Sequence, residues 1–100
     1  MDPAGSDFCI SDVVRSKAGR DKDTLMYVVG VDNDYLLLAD GKGRTLEKPK
    51  RKKRKHVDKV LRSETRVAAK LISGSKVLNG ELRRDLAFIS RDLECINQGG

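Results

Sequence analysis

Apolar positions in the first sixty residues fall in short runs, and beyond residue 63 they recur at intervals of three and four. The clearest run is TLMYVVGV at 24–31. Alternation puts Leu25, Tyr27, Val29 and Val31 on one face, with Met26, Val28 and Gly30 on the other. Both faces are largely apolar, which predicts a central, curved strand with Gly30 at a bend or a close backbone approach. DVVRSKA at 12–18 predicts a shorter strand ahead of it, separated by the turn GRDKD. DND at 32–34 predicts a turn, YLLLAD at 35–40 a third strand, and DGKG at 40–43 a second turn. A short fourth strand is expected at 44–47 with Leu46 inward, after which Pro49 limits the chain to an edge or a loop. A fifth is expected at 56–61. Five short strands joined by tight turns predict a mainly β fold that closes into a small barrel and so satisfies its edges.

The later period predicts two helices. Ser63 is the expected cap of the first, with Glu64 in its first turn, Val67, Ala68, Leu71 and Ile72 on its apolar face, and Gly74 at its end. Asn79 is the expected cap of the second, whose stripe Leu82, Leu86, Ile89 and Leu93 must be buried against the barrel or the first helix. The chain thus divides into a flexible N-terminus at 1–10, a barrel with a basic segment at 11–62, and a two-helix extension packed on it at 63–95.

Charge changes this picture more than composition does. The 100 residues carry a net charge of +6, unevenly spread. Residues 1–41 hold four basic against eight acidic side chains, and residues 42–62 hold eleven against two. The run KPKRKKRKH at 48–56 contains Lys48, Lys50, Arg51, Lys52, Lys53, Arg54 and Lys55, and it is preceded by Lys42 and Arg44 and followed by Lys59. Such packing costs mutual repulsion that a polyphosphate backbone removes, with release of its own condensed counterions. A solubilising surface would mix signs instead. In an extended run alternate cations point to opposite sides, so about half can face one ligand. Lys17, Arg20 and Lys22, around Gly19, form a second cationic turn, which Asp21 and Asp23 partly cancel.

At these residues the chain resembles the KOW-domain RNA-binding proteins similar to the archaeal and eukaryotic ribosomal protein L14e. The matching pieces are VVRSKAGRDKD at 13–23, VVGVD at 28–32, YLLLADGKGRTLEKPKRKKRKHV at 35–57 and LRRDLAF at 82–88. The resemblance implies an SH3-like five-stranded barrel with a C-terminal helical extension. It also implies that the turn at 16–22, centred on Gly19, contacts RNA together with the basic segment at 48–56. KOW turns usually carry glycine where this chain has Asp23.

Other chemistry is sparse. His56 is the single imidazole, and Cys9 and Cys95 lack zinc spacing, so a four-ligand metal site cannot be assembled. The thiols read as free in a reducing cytosol, ahead of a Cys9–Cys95 bridge. No nucleophile arrangement is visible, so no enzyme and no cofactor is expected. His56 reads as a ring packed at a strand start or a modest RNA contact. Four aromatics, with Tyr35 the expected exposed ring, favour recognition through phosphate and shape over stacking. The expected function is phosphate contact with structured, ribosomal RNA, in the company of ribosomal proteins, by a cytoplasmic, monomeric, membrane-free protein. Alternatives are a protein-interaction module within a ribonucleoprotein, or a DNA-binding or nuclear-targeted protein read from PKRKKRK.

Overall fold

A computed structural model describes residues 8–17, 19 and 22–99, with side chains to residue 93. The expected flexible terminus lies for the most part outside the described residues, as do Arg20 and the side chain of Cys95. Cys9 is a free thiol, with Arg62 donating to its Sγ at 3.4 Å.

Five strands form one antiparallel sheet: β1 (Asp12–Ser16), β2 (Leu25–Asp32), β3 (Tyr35–Ala39), β4 (Lys50–Lys53) and β5 (Val57–Arg62). Their order is β4-β3-β2-β1-β5. A two-residue turn joins β2 to β3, with Asn33 at φ 54°, a left-handed conformation that asparagine tolerates. The strict alternation expected along β2 is broken by a bulge between Val28 and Gly30, which leaves Val31 42% exposed rather than inward. Gly30 does meet a close neighbour: a β-carbon there would lie 2.9 Å from Leu37 Cδ1.

The expected fourth strand at 44–47 is a loop. Asp40 Oδ1 accepts the N–H groups of Lys42 and Arg44, and the Arg44 carbonyl accepts those of Asp40 and Gly41. Asn79 Oδ1 takes the Leu46 N–H at 2.7 Å. The backbone groups a ladder needs are therefore already committed. The fourth strand is instead the basic run itself, paired with β3 from Leu38↔Lys50 to Tyr35↔Lys53. Strand pairing uses backbone groups, so an all-cationic segment can join at an edge, where its charge also discourages pairing with another sheet.

The sheet buries both faces. Val14, Met26, Val28, Leu36, Leu38 and Val57 form one cluster, against which Phe8 packs. Neither α-helix contributes to this cluster, so the near-zero exposure of its side chains requires the sheet to curve over them. Val13, Tyr27 and Ala39 form the other, with Val67 and Ala68 of α1 (Arg66–Ser73) and Leu82, Leu86 and Ile89 of α2 (Asn79–Gly99).

Both helix starts differ from expectation. Thr65, not Ser63, caps α1, its Oγ1 accepting the Ala68 N–H. Ser63 is buried, with its Oγ 2.7 Å from the Tyr27 hydroxyl. Gly74 ends α1 at φ 79°, as expected, whereas Ile72 is 63% exposed. Asn79 spends its side chain on the 44–48 loop, and Glu81 reaches back to the Leu78 N–H, which with Lys70 lowers its carboxyl pKa.

The Tyr27 hydroxyl also donates to the Asp85 carboxylate, which accepts a second bond from Thr65 Oγ1 at 2.8 Å. One phenol thereby ties the sheet to α2 and to the cap of α1. Burial first, and then the Asp85 hydrogen bond, raise its pKa from 10.0 to about 12. The unfolded chain releases this proton above pH 10 while the folded chain holds it, so the contribution is full below pH 10 and lost as pH rises toward 12. It amounts to about 2–3 kcal/mol. Chemical denaturation between pH 9 and 12 should show a steeper alkaline loss of stability for the parent than for Tyr27→Phe; parallel losses would refute this role.

Candidate nucleic-acid interface

Pairing with β3 sorts the basic run by face. Cross-strand partners share a face, so Lys50 and Lys52 lie with Leu38 and Leu36, while Arg51 and Lys53 lie with Leu37 and Tyr35. The first two are half-buried and the second two exposed. Long lysine stems can cover apolar surface while the ammonium stays hydrated, which suits Lys50 and Lys52 to a position over the cluster that contains Leu36 and Leu38. The expected alternation is thus what the strand displays.

Lys52 does more than cover that cluster. Its Nζ donates to Ser16 Oγ at 2.7 Å, although β4 and β1 are separated in the sheet by two strands. The curvature of the sheet brings the basic strand to the start of the Gly19 turn. A β-carbon on Gly19 would lie 3.7 Å from the same ammonium. The Lys17 N–H also donates to the His56 carbonyl at 2.8 Å, tying the turn to the single 3-10 turn Arg54–His56 that follows β4.

The turn has the backbone that glycine would supply. Gly19 sits at φ 84° and Asp23 at φ 70°. Aspartate is one of the few non-glycine residues that enter this region readily. Asp23 N–H closes the turn on the Ser16 carbonyl at 2.8 Å. Lys22 is exposed, and Lys17 Nζ pairs with Asp58 at 3.5 Å while both stay largely exposed.

Arg51 stands over the Tyr35 ring at 4.1 Å, and Lys53 Nζ is 5.9 Å from the same ring. Tyr35 is therefore half-buried and already stacked rather than open to a base. Arg51 also lies 3.5 Å from Asp32. Arg54 donates from Nε to the Asn33 carbonyl at 2.8 Å and from its N–H to Asp34, so it locks the β2–β3 turn. Lys53, Arg54, Lys55 and Asp34 line a shallow cleft of about 250 Å³. Lys55 and His56 are exposed beside it.

Four candidates lie away from this group. Lys59 is 3.3 Å from Asp12, a fully buried carboxylate that Arg62 also meets at 3.3 Å, so Lys59 serves the base of the sheet. Lys42, Arg44 and Lys48 belong to the loop at the other end of the β3–β4 pair, held on α2 through Leu46 and Asn79. Lys42 instead lines a larger cleft, about 530 Å³, with Arg15 of β1 and Arg83 of α2.

Arg15, Arg83, Arg84 and Arg91 were not singled out from the sequence. The spacing of 84, 88 and 91 is that of one helical face, and a helical projection would have found it. No group of metal-ligating side chains occurs among the described residues. Among them, too, no helix is long and apolar enough to cross a membrane. The chain matches no protein-family model, and no curated protein matches its sequence.

Proposed function

We propose that this chain is a non-enzymatic RNA-binding module that contacts the phosphates of a structured RNA, in the manner of the KOW-domain proteins it resembles. In this reading the curved five-stranded sheet is an SH3-like barrel, and the protein works as a cytoplasmic monomer associated with ribosomal RNA and ribosomal proteins. The observation that carries the reading is the Lys52 bridge. One ammonium lies against both Ser16 and Gly19, so the turn at 16–23 and the exposed cations Arg51, Lys53 and Lys55 make one surface.

Lysines there neutralise phosphate as point charges. Arg51, held by Tyr35 and Asp32, presents a planar fork whose orientation is already restricted, which favours two-pronged phosphate contact. The strand order and the left-handed Asp23 further support the KOW likeness.

Binding to a folded RNA should weaken steeply with salt. Neutralising about 5 phosphates gives a log-log slope on the order of −4, with the duplex-DNA coefficient. Titration of a labelled RNA hairpin across ionic strengths measures it. An affinity independent of salt would end the proposal, and equal affinity for duplex DNA would remove its preference for RNA.

A further inference from the structure

The basic strand is not the only cationic surface. Around α2, the buried stripe Leu82, Leu86 and Ile89 fixes which positions face outward. Arg84, Phe88 and Arg91 fall on one outward line, each exposed, with Phe88 at 66%. Arg83 and Ala87 stand beside them, on the wall of the cleft that Arg15 and Lys42 close from the sheet side.

Of the acids near this line, Asp92 is exposed beside Arg91, and two others are already engaged. Glu81 is held by Lys70 and the Leu78 N–H, and Asp85 by Tyr27 and Thr65. Asp40, in the cleft, accepts two backbone N–H groups of its own turn. Arg15, Lys42 and Arg83 make no ion pair among the described residues, although Asp23 also lines the cleft. Cations from β1, the 40–48 loop and α2 thus line one cleft without an ion pair among the described residues.

Their separation is set by backbone packing. Gly41 lies so close to α2 that an added β-carbon would be 2.2 Å from the Asn79 carbonyl and 3.0 Å from the Arg83 nitrogen. Lys42 follows Gly41, so it is held beside Arg83. The turn at 16–23 borders both surfaces, with Gly19 against Lys52 on one side and Asp23 in the cleft on the other.

An exposed phenylalanine between two arginines on one helical line suits an unpaired nucleotide. The ring offers its face to a base, and guanidinium groups one turn away on either side take the flanking phosphates. A protein partner would need a cluster of apolar anchors around the ring. The other strongly exposed large apolar side chains, Ile72 and Leu78, belong to the end of α1 and the loop before α2.

We infer that the outward face of α2 and the adjoining cleft form a second RNA contact, which seats an unpaired nucleotide on Phe88 with its phosphates at Arg84, Arg91 and the Arg15–Lys42–Arg83 cleft. This rests on the RNA-binding reading and deepens it: the preferred ligand is a duplex that continues into single strand. The duplex lies on the β4 surface and the unpaired tail passes the turn at 16–23 to α2.

The test compares a blunt RNA hairpin with the same hairpin carrying a short unpaired uridine tail. The parent protein should bind the tailed RNA about tenfold more tightly, the scale of one base stacked on an aromatic ring. Phe88→Ala should erase that advantage and leave blunt-hairpin affinity and the unfolding midpoint unchanged. Phe88→Trp should keep it, and because the chain has no other tryptophan, its emission should be quenched by the tailed RNA and not by the blunt one. Failure to bind either hairpin would overturn the function itself. Binding without a tail preference, or a preference that survives Phe88→Ala, would overturn the α2 contact alone. Quenching by poly-glutamate as strong as by the tail would also overturn it, in favour of an acidic protein partner.

Discussion

Reversing the charge of Arg51, Lys53 and Lys55 together to glutamate should lower affinity for a structured RNA by at least about a hundredfold near physiological salt, and make the salt slope shallower by about 3. Each of the three is exposed at the sheet edge or in the turn after it, and none supplies a buried contact. Their side chains can therefore change sign at little cost to the fold. The largest structural loss is the stacking of Arg51 on Tyr35, about 0.5–1 kcal/mol at an exposed site. Arg66→Glu with Lys76→Glu, away from β4, separates contact from net charge: if that pair weakens binding as much per charge as the triple change, the β4 surface is not where RNA lies. Lys52 is omitted because its bond to Ser16 makes it part of the fold.

Gly41→Ala should be the most damaging single methyl in the chain, costing on the order of 3 kcal/mol or more. Two effects combine. Gly41 has φ 81°, which an alanine pays for in strain, and its added carbon would sit 2.2 Å from a backbone oxygen of α2 that has no room to move. Three glycines make a graded series. Gly43 has nothing within 4 Å of an added carbon and no positive φ, so Gly43→Ala should be neutral. Gly74 has φ 79° and open space, so its substitution should cost about 1 kcal/mol from strain alone. In a domain of this size the Gly41 variant should melt about 15 °C lower or more. A midpoint matching that of Gly74→Ala would show that the turn and α2 are not locked together. If they are locked, the variant should also lose the tail preference assigned to α2, since Lys42 and Arg83 would part.

How much of this could be read from the chain depends on the range of the interaction that decides each feature. Short apolar runs set between turn residues identified β1, β2, β3 and β5, with alternation clear along β2, because a strand must offer an apolar face to be buried. The stripe on α2 and the stop at Gly74 are equally local: a face must be apolar to be buried, and only glycine enters the left-handed cap without strain. The location of the positive charge was also legible, since charge is carried by residue type.

Whatever depended on a partner distant in sequence was not. The basic run looked like a connector because no side-chain pattern marks it as a strand; the free edge of β3 makes it one through backbone bonds alone. Ser63 has the chemistry of a cap, but Tyr27 occupies it from 36 residues away and Thr65 caps in its place. Lys59 reads as one more free cation until the buried Asp12 claims it. Composition and order therefore determined that the chain would be β-rich and that its positive charge would be concentrated in one segment. Only the tertiary structure decided its conformation and which cations face outward. The reason is that curvature of the sheet, which no local pattern encodes, carries Lys52 to Ser16 and sets the exposed faces of β4 and α2 on either side of one turn.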